Sequence, residues 1–207
     1  MPPRIVTIDP VHPDIAFDRC GEVIRSGGVL AYPTDTLYGL GVDPRDPRAV
    51  QRLFALKGRQ ADQPILLLLP DAGAVKDWAA AVTPQAERLM QRFWPGPLTL
   101  VFTAQAGVAR ELTAGTGTIG LRVPGSAITR QLLAFLGTAL TGTSANRSGA
   151  KDPETAAQVL ETLGAGVDLV LDGGRTAGAR PSTVVDVRTD TPLVIREGAI
   201  RSGDIAG

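Results

Sequence analysis

The sequence predicts an α/β fold built on a mixed β-sheet, and three observations carry that expectation. Strand-like and helix-like segments alternate along the chain with no internal repeat, linker or low-complexity block. The run Ile65 to Leu69, bounded by Pro64 and Pro70, is short and continuously apolar, which suits a strand covered on both faces. Thr183 to Val187 and Leu193 to Arg196 flank the turn-like Thr189-Asp190-Thr191-Pro192 and read as a hairpin, which adds an antiparallel pair.

Each element has a local reason. Asp14 to Ser26 carries Ile15, Cys20, Val23 and Ile24 at helical spacing and stops at Gly27-Gly28, after which Val29 to Pro33 reads as a strand. Asp46-Pro47 supplies an N-cap and a first-turn proline for a helix that buries Val50, Leu53, Phe54 and Leu56 and ends at Gly58. Thr83-Pro84 caps the next helix, which runs to Trp94. Pro95-Gly96-Pro97 cannot be regular structure, and Leu98 to Thr103 beyond it alternates like a strand. Ile119 to Val123 is another strand, Ser126 to Leu136 a helix closed by Gly137, and Ala139 to Thr143 leads into a loop of small polar residues. Asp152-Pro153-Glu154 is expected to open a helix ending near Gly164.

Composition narrows the functional classes. The 207 residues, 43% hydrophobic and 20% charged, suffice for one substantial core and are read as a single domain, 1–207. Lys+Arg and Asp+Glu each total 21, so no overall basic field marks a dedicated nucleic-acid binder and any anion site must be local. Cys20 stands alone, no secretory signal is apparent, and no apolar run approaches the roughly 20 residues of a membrane helix. A cytoplasmic enzyme without a membrane span or structural metal is expected. The G-x-G-x-x-G match at Gly115 to Gly120 runs into strand-like residues instead of a helix, so it is not a dinucleotide fingerprint.

Several polar clusters fall at strand ends. Tyr32 to Gly41 packs Thr34, Asp35, Thr36 and Tyr38 into a turn, which suits a ligand loop and equally a turn whose hydroxyls bond backbone. Lys57-Gly-Arg59 puts two cations at a helix end, where they could converge on an anion or simply complement the helix dipole. Arg122, between Leu121 and Val123, needs a carboxylate, a phosphate or a solvent cleft. Thr143-Ser-Ala-Asn146, Ser182 to Asp186 and Arg196-Glu-Gly198 add hydroxyls, a carboxamide and a further cation. Four cations without a nucleophile-base pair or metal cluster favour anion binding and group transfer over hydrolysis.

Taken in order, Pro33-Thr-Asp-Thr-Leu-Tyr-Gly-Leu-Gly41, Lys57-Gly-Arg59, Phe93-Trp-Pro-Gly-Pro-Leu-Thr-Leu100, Gly120-Leu-Arg-Val-Pro124, Thr143-Ser-Ala-Asn-Arg-Ser-Gly149, Pro181-Ser-Thr-Val-Val-Asp186 and Arg196-Glu-Gly-Ala-Ile200 closely resemble the threonylcarbamoyl-adenylate synthase, or YrdC-like, family over nearly the whole chain. The resemblance implies a twisted mixed sheet flanked by helices around a concave cleft. It implies formation of threonylcarbamoyl-adenylate from L-threonine, bicarbonate and ATP, with Mg2+ arriving on the triphosphate. It places Lys57 and Arg59, as catalytic groups, on the ATP phosphates, with Thr118, Ser144, Asn146 and Arg196 also on the nucleotide side. Thr36, Arg122 and Ser182 would face L-threonine, and Thr34 and Tyr38 would line the pocket. The product would pass to a tRNA-modifying threonylcarbamoyl transferase complex. Where many relatives carry a histidine this chain has Leu68, and it ends soon after Gly198, like the short bacterial form. Competing readings are a carbamoyl-transfer domain and a non-catalytic protein binding RNA weakly through the cleft cations.

Overall fold

The computed structural model describes residues 4–58, 63–178 and 180–206. Among them ten strands form one mixed sheet: β1 (Arg4–Thr7), β2 (Leu30–Pro33), β3 (Tyr38–Gly41), β4 (Leu66–Leu68), β5 (Leu98–Thr103), β6 (Thr118–Arg122), β7 (Leu140–Ser144), β8 (Leu169–Asp172), β9 (Thr183–Asp186) and β10 (Leu193–Arg196). Their spatial order is β1-β8-β2-β3-β7-β4-β6-β5-β9-β10. Parallel pairs (β1/β8, β2/β8, β4/β6, β5/β9) mix with antiparallel ones, among them β2/β3, β5/β6 and the expected hairpin β9/β10.

The helices are α1 (Pro13–Arg25), α2 (Pro47–Lys57), α3 (Pro84–Phe93), α4 (Arg110–Thr113), α5 (Ala127–Leu136), α6 (Ala156–Leu163) and α7 (Ser202–Ala206). Asp46, Thr83 and Ser126 accept hydrogen bonds from first-turn amides, as N-caps do, and Gly58 and Gly137 end α2 and α5 in the left-handed region at φ 60° and 64°. Two expectations shift. The second half of the Tyr32 to Gly41 segment is strand β3, because its backbone pairs with both β2 and β7. Helix α6 starts at Ala156, capped by Thr155, because the Pro153 carbonyl is committed to the Tyr38 amide.

Strand alternation sends neighbouring residues to opposite faces of the sheet. On one face, Leu67, Leu69, Leu98, Leu100, Leu121 and Val185 pack into a core with α2, α3 and α6. On the other, Leu30, Tyr32, Leu140, Leu169 and Leu171 pack beneath α1 and α5. These two helices touch β1, β2 and β8, toward one edge of the sheet. The stretch β7-β4-β6-β5-β9 supplies the floor of a cavity. Among the described residues no helix is long and apolar enough to cross a membrane.

Candidate functional site

The cavity encloses about 410 Å³ and is lined along its floor by alternate residues of successive strands: Gly142 and Ser144, Leu66 and Leu68, Thr118, Gly120 and Arg122, Thr99 and Val101, Ser182 and Val184. Leu67, Leu100, Ile119 and Leu121, which lie between them, belong to the buried core of the opposite face. Leu66 is opposite Gly142 in register, and a Cβ there would lie 2.6 Å from its Cδ1; one on Gly120 would lie 3.4 Å from the Leu66 Cβ. Two glycines thus let a leucine lie low across the floor as an apolar platform.

The β2–β3 turn forms one wall. Thr34 Oγ1 accepts from the amides of Thr36 and Leu37 at 3.2 Å each and donates to the Leu37 carbonyl at 2.6 Å. A hydroxyl has one proton, so in its 3.0 Å contact with Thr36 Oγ1 the Thr36 hydroxyl donates. Thr34 is therefore a turn-building hub, whereas Thr36 keeps lone pairs for a ligand. The Tyr38 hydroxyl donates to the Gly174 carbonyl at 2.8 Å, tying the β8–β9 connection to this wall. Its pKa is raised, first by burial and then by the Asp172 carboxylate, so the phenol stays neutral.

Arg122 is 5% exposed and lines the cavity. Its Nε donates to the Gly96 carbonyl at 2.9 Å and one NH2 proton goes to Asp35 Oδ2 at 2.6 Å. Three of the guanidinium's five N–H groups remain for a ligand. Burial lowers its pKa, and Asp35 opposes that shift by charge and hydrogen bond. At the neighbouring strands β5 and β9, Ser182 Oγ and Thr99 Oγ1 are 2.9 Å apart, both buried, and the exposed Arg196 donates from NH2 to the Ser182 carbonyl at 2.8 Å.

Lys57, expected on the ATP phosphates, is held by protein oxygens. It is 3% exposed and does not line the cavity; its Nζ donates to the carbonyls of Ser144 (2.5 Å) and Asn146 (2.8 Å) and to Asn146 Oδ1 (3.2 Å). Asn146 also accepts from Ser144 Oγ at 2.7 Å and donates through Nδ2 to Ala150 O and Asp152 Oδ1. Lys57, Ser144 and Asn146 form a knot that shapes the loop after β7, of which Ser144 and Asp152 reach the cavity. The expected role of Arg59 lies outside the described residues. Thr34, Thr36, Tyr38, Thr118, Ser144, Ser182 and Arg196 all line the cavity, as does Leu68. Sequence reasoning missed Thr99, Asp152 and the Leu66 platform. The alternation of β5 was the available signal for Thr99, since a polar residue between Leu98 and Leu100 must face away from the core. Among the described residues no group of three or more His, Cys, Asp or Glu side chains could hold a metal.

The family model Sua5/YciO/YrdC, described as telomere recombination, matches residues 22–198. The chain belongs to the Sua5/YciO/YrdC family. Its curated relatives include the threonylcarbamoyl-AMP synthase of Thiobacillus denitrificans, 43% identical over 80% of this chain and 88% of the relative. That of Pyrococcus abyssi is 37% identical over 86% of this chain and 52% of the relative. The chain thus spans about half the length of the archaeal relative and most of the bacterial one. In structure it resembles Pyrococcus abyssi Sua5 complexed with L-threonine, with TM-score 0.92 at 33% identity over 97% of this chain and 59% of that one. YciO of E. coli gives TM-score 0.84 at 31% identity over 95% of this chain and 96% of that one. Family membership accounts for the order of the seven motifs, which supply the Thr34–Tyr38 wall, Arg122, the Ser144–Asn146 loop, Ser182 and Arg196 around one cavity.

Proposed function

We infer that the chain is an L-threonylcarbamoyladenylate synthase. The observation that carries the reading is the 43% identity to the Thiobacillus synthase across nearly all of that relative's length. A cavity lined by two arginines, Arg122 and Arg196, together with apolar side chains fits two anionic reactants. In the proposed reaction the threonine amine and bicarbonate condense to a carbamate with loss of water. A carbamate oxygen then attacks the α-phosphorus of ATP, the bond to the β-phosphate oxygen breaks, and pyrophosphate leaves. Such a step needs positioning, charge neutralisation and exclusion of water more than covalent help from the protein.

The uncommitted N–H groups of Arg122 would take the threonine carboxylate, the Thr36 lone pairs an amine proton, and the Thr99–Ser182 hydroxyl pair the substrate's polar edge. Arg196 and Thr118 would face the phosphates together with Arg59. Lys57 would act on the nucleotide side through the Ser144–Asn146 loop it holds. Magnesium enters as part of the nucleotide substrate, its remaining ligands being phosphate and water oxygens. From the Ile65 to Leu69 run, Ile65, Leu66 and Leu68 line the cavity and would supply the dry wall that a labile carbamate requires. The product would serve a separate tRNA-modifying transferase.

Pyrophosphate release from ATP and magnesium by the purified chain tests this reading, with threonine and bicarbonate each added or omitted. Release is expected only when both are present. Release independent of threonine would sink the synthase reading; no release at all from folded protein would sink it and favour the RNA-binding one.

A further inference from the structure

Asp35 is absent from the cavity lining, yet it holds the cavity's most buried cation. Its Oδ2 accepts from Arg122 NH2 at 2.6 Å, in a pair whose side chains are 6% and 18% exposed. The same oxygen also rests against Gly125, where an added Cβ would lie 2.9 Å from Oδ2 and 3.1 Å from Cγ. That turn is fixed in place by Arg130, whose NH1 donates to the carbonyls of Pro124 at 3.0 Å and Gly125 at 2.7 Å. Among the described residues Asp35 Oδ1 is a buried polar atom with no partner. A carboxylate oxygen buried without a donor is costly. A shape-filling neutral side chain would avoid that cost, so what the position supplies is a charge facing Arg122. Burial lowers the Arg122 pKa and the charge of Arg196 adds to the lowering; Asp35 opposes it most, with a smaller contribution from Tyr32.

We propose that Asp35 is a positioning residue for the amino-acid substrate: it fixes the rotation of the Arg122 guanidinium and offsets its charge, so that this end of the cavity takes a single carboxylate and the Arg196 end the polyphosphate. The proposal rests on the synthase reading. Two anchors on one edge of the guanidinium, Gly96 O and Asp35 Oδ2, determine which N–H groups are left over. A paired arginine attracts a multiply charged anion less than a bare one does.

Calorimetric titration of L-threonine and of ATP, separately, into wild-type protein, Asp35→Asn and Gly125→Ala tests it. In Gly125→Ala the new Cβ would lie 2.9 Å from Asp35 Oδ2, 3.1 Å from Cγ and 3.3 Å from Cβ, so the short side chain must turn away and take its carboxylate with it. Both variants should bind threonine about tenfold more weakly or worse and ATP within about twofold of wild type. With saturating threonine, kcat should return most of the way in Asp35→Asn. Unchanged threonine affinity in both folded variants overturns the proposal. So does an equal loss of threonine and ATP binding, which would mark a merely structural role. Should Asp35→Asn not fold, Gly125→Ala decides alone. Wild-type protein that binds no threonine sinks the synthase reading instead.

Discussion

Two buried cations, Lys57 and Arg122, mark two corners of the site and have opposite relations to its cavity. Lys57 presents its ammonium to three protein oxygens, as many as it has protons, and lies behind the loop after β7. Arg122 is almost as buried, yet two of its five N–H groups satisfy the protein and the side chain lines the cavity. Burial alone therefore does not distinguish a strut from a ligand-binding group. Donors left over after the protein has been satisfied do, because they open on the cavity and are there for a ligand to take.

The largest effect should come from removing Arg122. Arg122→Ala leaves Asp35 as an uncompensated buried charge, a loss on the order of 3–5 kcal/mol in denaturant unfolding. Surviving folded protein should lose about 100-fold or more in kcat/KM for threonine. Lys57→Ala comes next. Stripping the carbonyls of Ser144 and Asn146 of their donor should cost about 2–3 kcal/mol. Adenylate formation should fall by about tenfold or more as the loop loosens. If Lys57→Ala instead left stability intact and raised only the KM for ATP, the strut reading would be wrong and Lys57 would touch phosphate directly.

The contrast between these corners marks what the sequence could and could not convey. An arginine between Leu121 and Val123 already announced a need for a partner. The partner, Asp35, is 87 residues away, and only folding names it. Lys57 at the end of α2 read as a cation offered outward. That its ammonium turns inward depends on where β7 delivers Asn146, which no local pattern encodes. Most strands were legible from apolar runs and turns. Tyr38 to Gly41 was not, because two glycines in four residues resemble a loop until β2 and β7 pair with them. Edge strand β1 and strand β8 were also overlooked, their four-residue lengths being too short to show a period.

The smallest effect sharpens the comparison on the side of Arg122, the corner that has an apolar neighbour in the cavity wall. Leu68 pairs with Arg122 in the β4–β6 register, packs with Leu132, Leu133 and Leu140 beneath, and still lines the cavity. It keeps the guanidinium dry and supplies apolar surface beside the place proposed for the substrate carboxylate. The methyl group that separates threonine from serine would lie within reach of that surface. Leu68→Val removes one methylene with a β-branched side chain suited to a strand, so stability should fall by only about 1 kcal/mol. A methyl-sized change in an apolar pocket is worth about tenfold at the low end, and partial contact less. The ratio of kcat/KM for threonine over serine should therefore fall by about three- to tenfold, read from pyrophosphate release, with the KM for ATP unmoved. An unchanged ratio in a stable variant would place the discrimination at Thr36 and the Thr99–Ser182 pair, and would leave Leu68 the single task of excluding water from Arg122.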